Sequence, residues 1–86
     1  MPANMELTLY IKPWCSWCIE AVSWLEARGY RFKAVNVLAD ETAYERMRRI
    51  SKQSLTPTLE TSDGRVLADF DVAQLERFML KNDLLP

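Results

Sequence analysis

The sequence has no histidine and only two cysteines, Cys15 and Cys18. A structural zinc site needs four Cys or His ligands, so we expect no metal site within the chain. Two cysteines three positions apart cannot join distant segments either, which excludes the disulfide scaffold of a small secreted protein. Their closeness in sequence instead favours a catalytic or redox-sensing pair.

Charge and hydrophobicity are not concentrated in any one segment. Eleven basic and twelve acidic residues leave a formal charge of −1, and the short basic cluster in residues 46–52 is typical of the solvated face of a helix. We therefore expect no nucleic-acid partner. No apolar run approaches the roughly 20 residues of a membrane-spanning helix, and residues 1–5 have neither the basic start nor the apolar core of a signal peptide. These absences predict a cytoplasmic protein that does not associate with membranes.

The length of 86 residues leaves room for one domain, residues 1–86. Its apolar fraction of 49% is enough for a compact core. There are no internal repeats, linkers or low-complexity segments. We expect this single domain to act as a monomer.

Hydrophobic periodicity predicts the first two elements. Leucine and isoleucine alternate with more polar residues across residues 7–11, which indicates a β-strand. Pro13 ends that strand because proline has no N–H to donate. Apolar residues then recur at steps of three and four, which predicts a helix from residue 15 or 16 to residue 28, with Gly29 as its C-terminal cap.

A second strand and a second helix follow. The strand is predicted over residues 30–37, and because a helix separates it from the first strand, the two are expected to pair in parallel. The second helix is predicted over residues 40–52, and Thr42 with Glu45 fits a capping box at its start.

The last third of the chain predicts a hairpin and a final helix. Asp63-Gly64 between two strand-like runs favours antiparallel pairing of residues 56–61 with residues 65–68. Asp71 followed by Gln74 opens the last helix. The order β-α-β-α-β-β-α predicts an α/β fold in which helices cover a four-stranded mixed sheet on both faces, in three layers.

The cysteine pair lies where the first strand gives way to the first helix. A cysteine at a helix start points its sulfur at unpaired backbone N–H groups and at the positive end of the helix dipole, and both stabilise a thiolate. Cys15 is therefore the candidate nucleophile, and Cys18, one turn further on, is the candidate resolving thiol. Lys12 is near enough to favour the thiolate. Trp14 is expected either to shield the site or simply to pack, and Trp17 either to wall it or to pack.

Two segments of the chain resemble the glutaredoxin family. Residues 10–18, Tyr-Ile-Lys-Pro-Trp-Cys-Ser-Trp-Cys, resemble the family's active-site motif, in which a lysine precedes the first cysteine by three positions. Residues 55–58, Leu-Thr-Pro-Thr, resemble its Thr-Val-Pro segment. The resemblance covers essentially the whole chain and implies a thioredoxin-like fold with the element order given above.

The resemblance also implies a glutathione site beside the cysteines. In the family, the proline that matches Pro57 is cis and orients the backbone of the preceding residue, here Thr56, toward glutathione or a peptide. Lys12 is expected to pair with a glutathione carboxylate. The candidate glutathione-binding residues are Lys12, Trp17, Thr56, Pro57, Asp69, Phe70 and Asp71, and Asp71 is equally well explained as a helix N-cap.

Two features depart from the family pattern. Ser16 and Trp17 stand between the cysteines, where glutaredoxins usually carry Pro and Tyr. The usual Gly-Gly-x-Asp stretch appears here as residues 68–71, Ala-Asp-Phe-Asp. A Cβ at those positions restricts a backbone turn that in the family approaches the γ-glutamyl end of glutathione. The sequence therefore supports the redox chemistry better than it supports glutathione binding.

Three functions fit these observations. The first is a glutaredoxin that uses glutathione to reduce protein disulfides or glutathionylated thiols through Cys15 and Cys18. The second is an electron donor, for example to ribonucleotide reductase, that is itself reduced by thioredoxin reductase, as are some glutaredoxin-like proteins that lack part of the glutathione site. The third is a carrier of a [2Fe–2S] cluster held between two monomers by Cys15 of each and two glutathione thiols, a possibility that Trp14 and Ser16 suggest.

Overall fold

A computed structural model describes residues 5–86 of the chain. Within that range the elements follow the predicted order β-α-β-α-β-β-α. Their bounds are β1 Leu7–Ile11, α1 Ser16–Ala27, β2 Phe32–Asn36, α2 Glu41–Ser51, β3 Thr58–Thr61, β4 Val66–Ala68 and α3 Val72–Lys81. Residues 1–4, which make up most of the segment considered above for a signal peptide, lie outside the described residues. None of the helices between residues 5 and 86 is both long and apolar enough to cross a bilayer.

The strands form one mixed sheet in the order β2-β1-β3-β4. β1 lies in the interior, parallel to β2 and antiparallel to β3, so that Leu9 pairs with Ala34 on one side and with Leu59 on the other. β3 and β4 form the predicted antiparallel hairpin. Because β1 is an interior strand, residues 12–15, which follow it, leave the sheet between β2 and β3.

Helices cover both faces of the sheet. Leu7 and Leu9 of β1 face a core that α1 and α3 complete with the fully buried Leu25 and Leu75. Tyr10 points to the opposite face, as the alternation of a strand requires, and packs near the buried Met47 of α2. The sheet therefore lies between two helical layers, which confirms the three-layer α/β architecture.

The start of α2 differs from the prediction. Its N-cap is Asp40, whose carboxylate accepts a hydrogen bond from the N–H of Ala43 at 3.0 Å. Thr42 already lies inside the helix, so the capping box predicted for Thr42 and Glu45 is wrong. Aspartate is at least as good an N-cap as threonine, and here it occurs two positions earlier in the chain.

Three strands are shorter than predicted, and β4 begins one residue late, at Val66. β2 begins at Phe32 rather than at residue 30, because Tyr30 packs back on α1: its N–H donates to the carbonyl of Leu25 at 3.0 Å, and its ring stacks on Trp24 with the ring centroids 5.7 Å apart. β3 begins at Thr58, directly after Pro57, whose nitrogen has no hydrogen to donate to a neighbouring strand.

Candidate active site

Cys15 is the N-cap residue of α1. Its backbone is extended, and its sulfur accepts a hydrogen bond from the N–H of Cys18 at 3.2 Å. Its carbonyl accepts from the N–H of Ile19 at 3.0 Å, the first backbone bond of the helix. The sulfur thus occupies the position that a serine or aspartate oxygen takes at other helix starts, where N–H groups and the helix dipole favour a negative charge. The first turn of α1 carries no acidic residue to oppose that charge.

The two sulfur atoms differ in accessibility. They lie within disulfide-bonding distance, with the Cα atoms 5.1 Å apart. The Cys18 side chain is buried, at 2% exposure, whereas Cys15 is half-buried. A substrate therefore reaches the sulfur of Cys15 first, and Cys18 is placed to attack that sulfur after a mixed disulfide has formed. This arrangement suits the roles of nucleophile and resolving thiol.

Thr56 approaches the nucleophilic sulfur from a segment 41 residues away in sequence. Its hydroxyl and its carbonyl oxygen each lie 3.8 Å from the Sγ of Cys15. A hydroxyl that donates to the sulfur stabilises the thiolate, whereas a carbonyl that accepts from the S–H stabilises the thiol. The Thr56–Pro57 peptide is cis, as the family resemblance implied. The structure thus brings Thr56 and Pro57 to the dithiol.

Lys12 is hydrogen-bonded to the segment that carries Thr56. Its Nζ donates a hydrogen bond to the carbonyl of Ser54 at 2.9 Å. The contact holds the ammonium group at Ser54, which precedes Thr56 by two positions in the sequence. That Lys12 acts on the thiolate or on a glutathione carboxylate stays a prediction.

Residues 68–71, which replace the family's glycine turn, contain no glycine but include one residue with a positive φ. Asp69 has φ 54°, in the left-handed region that aspartate tolerates better than most residues. Its N–H donates to the carbonyl of Pro57 at 2.8 Å. The turn therefore lies against the cis-proline segment, and the Cβ of Asp69 is accommodated there.

Phe70 and Asp71 have structural roles in the same turn. The Phe70 side chain is 0% exposed and packs in the core beside α1 and α3, so a contact with glutathione would use the backbone of Phe70, and that contact stays a prediction. A single aromatic residue between two aspartates gives no sequence sign of this burial. Asp71 caps α3 through one carboxylate oxygen, which accepts from the N–H of Gln74 at 2.9 Å. Its other oxygen makes no hydrogen bond to residues 5–86 and is available to a ligand.

Trp14 and Trp17 form exposed surface beside the cysteines. Trp14 is 93% exposed, so it does not shield the sulfur of Cys15. Trp17 is 43% exposed, and Leu55, which precedes Thr56, is 51% exposed. Trp24 lies elsewhere, on the surface, under the guanidinium of Arg28 at 4.3 Å.

Sequence reasoning missed the side chain that shapes the Thr56 segment. Gln53 accepts a hydrogen bond from the N–H of Leu55 at 2.6 Å and donates to the hydroxyl of Thr58 at 3.1 Å. It thereby spans the loop between α2 and β3 that carries Thr56. No local pattern indicates this role, since Gln53 follows a charged helix and matches no motif.

A polar network of Tyr10, Arg46 and Glu60 on the α2 face of the sheet shifts the pKa values of its members. Hydrogen bonds from Arg46 hold the pKa of Glu60 below its usual value. Burial and the hydrogen bond that Tyr10 donates to Glu60, at 2.7 Å, raise the pKa of Tyr10 to about 12. These three side chains satisfy one another and do not contact the dithiol, so we assign them to stability.

Metal ligands are not grouped in the described part of the chain. Within residues 5–86, no three His, Cys, Asp or Glu side chains are arranged to hold a metal ion. A [2Fe–2S] cluster would therefore need Cys15 from two chains together with two further thiols. The cluster hypothesis gains no support from this site.

Fold and dithiol together define a class: thioredoxin-like proteins with a Cys-x-x-Cys redox site, whose general chemistry is thiol–disulfide exchange. Comparison with protein-family models makes the assignment specific, because the glutaredoxin model matches residues 7–67. The chain belongs to the glutaredoxin family.

Individual relatives agree with this assignment. An uncharacterised glutaredoxin-like 8.6 kDa protein in the rubredoxin operon of Clostridium pasteurianum is 32% identical over 75 residues, which cover 87% of this chain and 99% of the relative. The crystal structure of the thioredoxin-like protein BC3987 has a TM-score of 0.74 at 25% identity and covers 83% of this chain and 96% of its own. A glutaredoxin from Archaeoglobus fulgidus has a TM-score of 0.74 at 16% identity, with coverages of 87% and 86%, and supports the fold alone. These findings support a thiol–disulfide oxidoreductase in general.

Proposed function

We propose that the protein uses glutathione to reduce protein disulfides or glutathionylated thiols through Cys15 and Cys18. The observation that carries the proposal is the position of the Cys15 sulfur. It is the N-cap of α1, it accepts from the N–H of Cys18 at 3.2 Å, and it is the more accessible of the two sulfurs. Such a sulfur is favoured as a thiolate and is open to attack a substrate.

The reaction is two successive exchanges. The Cys15 thiolate attacks one sulfur of the target disulfide, so that a Cys15–target disulfide forms and the other target sulfur leaves as a thiolate that takes up a proton. The Cys18 thiolate then attacks Cys15, which forms the Cys15–Cys18 disulfide and releases the second target thiol. Two glutathione molecules supply the two electrons that restore the dithiol and become glutathione disulfide.

Charged groups of both signs near the dithiol support glutathione as the reductant. The Lys12 ammonium is bonded to Ser54, while the exposed carboxylate of Asp69 and the second oxygen of Asp71 belong to the turn that is bonded to Pro57. Glutathione carries a carboxylate at its glycine end and both an ammonium group and a second carboxylate at its γ-glutamyl end. Its glycine carboxylate suits the Lys12 ammonium, and its ammonium group suits the carboxylates of Asp69 and Asp71.

The test is a coupled assay with glutathione, glutathione reductase and hydroxyethyl disulfide. The wild-type protein should support NADPH oxidation, and Lys12→Met and Asp69→Asn, which removes the charge and tolerates the same φ, should raise the KM for glutathione. If neither variant changes that KM, these two groups do not bind glutathione. If the wild-type protein is inactive in this assay, glutathione is not its reductant.

A second candidate keeps the chemistry and changes the reductant. Asp69 carries a side chain where glutaredoxins usually have glycine, and this favours a protein reduced by thioredoxin reductase. Supplying thioredoxin reductase in place of glutathione and glutathione reductase distinguishes the two, since the better reductant gives the larger kcat/KM. With either reductant, we propose that the protein is cytoplasmic, because the cytosol keeps thiols reduced. We also propose that it acts as a monomer.

A further inference from the structure

A cationic groove lies along the second half of α2 and the first residues of the segment that follows it. It has a volume of 480 Å³, and its charged lining consists of Arg48, Arg49 and Lys52 with a single acid, Glu45. Within residues 5–86, none of these three cations forms an ion pair, although Arg48 lies over the ring of Tyr44 at 5.9 Å. The groove therefore presents unneutralised positive charge on a protein whose overall formal charge is −1.

The groove and the reactive sulfur share one short segment. Ser54 contributes to the lining of the groove, and Thr56 lies 3.8 Å from the Sγ of Cys15. Two residues span at most about 7 Å of extended chain. When the cysteine of a target polypeptide lies at Cys15, a side chain about two to four positions from that cysteine in the target would therefore reach the groove.

Apolar surface lies on the same side of the molecule. Trp14, Trp17 and Leu55 are all exposed, and they directly flank Cys15, Cys18 and Thr56 in sequence. Trp14 has φ 59° in addition, a backbone conformation that costs a tryptophan of the order of 1 kcal/mol. Its side chain is 93% exposed, so packing within the chain does not compensate this cost. An aromatic residue held in this way fits a surface that makes its contacts with a partner.

We propose that the target is a disulfide-bearing protein segment with an apolar residue beside its cysteine and a carboxylate side chain two to four residues away. The apolar residue packs against Trp14, Trp17 and Leu55, and the carboxylate enters the groove of Arg48, Arg49 and Lys52. This inference rests on the proposed function, because the segment delivers its disulfide to Cys15. Asp69 and Asp71, in the turn beside Pro57, repel an acidic segment. The carboxylate of the target is therefore favoured at the groove and disfavoured at this turn.

The experiment measures how fast the reduced protein attacks three short peptides. Each peptide has one cysteine in a mixed disulfide with the same chromogenic thiol, whose release gives the second-order rate constant. The first has leucine beside the cysteine and two aspartates three and four residues away, the second has lysines in place of the aspartates, and the third keeps the aspartates but has glycine in place of leucine. Hydroxyethyl disulfide is measured alongside as a small uncharged substrate.

We expect the acidic leucine peptide to react about 10-fold faster than the basic one at low ionic strength, and the ratio to shrink as salt is added. The double variant Arg48→Glu/Arg49→Glu should reverse the preference. A matched double variant at the far edge of the sheet, Arg31→Glu/Lys33→Glu, changes the net charge equally and should preserve it. Trp14→Asn, at an exposed position whose φ asparagine tolerates, should narrow the difference in rate between the leucine and glycine peptides, because Trp17 and Leu55 remain.

The outcomes separate the groove, the apolar contact and the proposed function. Equal rates for acidic and basic peptides, or equal loss of preference in the two double variants, would overturn the assignment of the groove. Equal rates for the leucine and glycine peptides on the wild-type protein would overturn the apolar contact. If hydroxyethyl disulfide and all three peptides fail to react, the proposed function itself fails, which is a different result from reaction without preference.

Discussion

The starts of α1 and α3 solve the same structural problem with different atoms. At α3, an Asp71 oxygen accepts the N–H of Gln74 and the Gln74 side chain accepts the N–H of Asp71, both at 2.9 Å. At α1, a sulfur atom accepts the N–H of Cys18 at 3.2 Å, and no side chain among residues 5–86 reaches back to complete a capping box. The first arrangement satisfies two backbone donors, and the second satisfies one.

The difference shows how a stabilising position becomes a reactive one. An aspartate at the N-cap is a carboxylate at neutral pH regardless of the helix, whereas a thiol becomes a thiolate there only because the N–H groups and the dipole favour its charge. The same local field therefore adds stability at α3 and nucleophilicity at α1. Thr56 adds a second donor at α1 that has no counterpart at α3.

The largest effect is expected from Cys15→Ser. Serine is among the best N-cap residues, so α1 should start at the same place and the stability of the reduced protein should change by less than about 1 kcal/mol. Disulfide reduction should fall to the uncatalysed rate, because a neutral hydroxyl cannot replace the thiolate. The measurements are the coupled reductase assay and chemical unfolding under reducing conditions. Turnover by this variant would show that Cys15 is not the nucleophile.

Removing the hydroxyl of Thr56 should lower the reactivity of Cys15 without removing it. In Thr56→Val the donor 3.8 Å from the sulfur is lost, and alkylation by iodoacetamide at neutral pH should slow about 3- to 10-fold, as expected for a long hydrogen bond that contributes about 1 kcal/mol. The midpoint of the rate against pH should move upward. Thr56→Ser, which keeps the hydroxyl, is the matched control. Equal alkylation rates for valine and threonine would mean that the helix start alone sets the reactivity.

The capping box of α3 should matter for stability and not for thiol reactivity. Asp71→Ala leaves the N–H of Gln74 without its acceptor, and the free energy of unfolding should fall by about 1 kcal/mol. For a domain of this size the melting temperature should drop by roughly 4–8 °C. Asp71→Asn should restore most of the loss, since asparagine caps equally well. A change in the alkylation rate of Cys15 in Asp71→Ala would break the separation between the two helix starts.

Sequence reasoning succeeded where the signal was local and failed where it was not. The strand-to-helix junction at Cys15 and the capping pair of Asp71 with Gln74 were predictable because each depends on neighbours within a few residues. The burial of Phe70 depends on packing between distant elements. The contact of Lys12 with Ser54 spans 42 residues. Such contacts follow from the way the sheet brings segments together, which a local pattern does not encode.

The smallest expected effect concerns the pH dependence of stability, which should arise on the α2 face rather than at either of these helix starts. Hydrogen bonds from Arg46 hold the pKa of Glu60 below its ordinary value of 4.5. The contribution of Glu60 is therefore fully present above that value and is lost as the pH falls through the lower pKa of the folded state. Glu60→Gln should flatten this part of the acid limb when unfolding is measured between neutral and acidic pH. Glu20→Gln, on the exposed face of α1, is the control, and the hypothesis fails if both variants follow the wild-type pH curve.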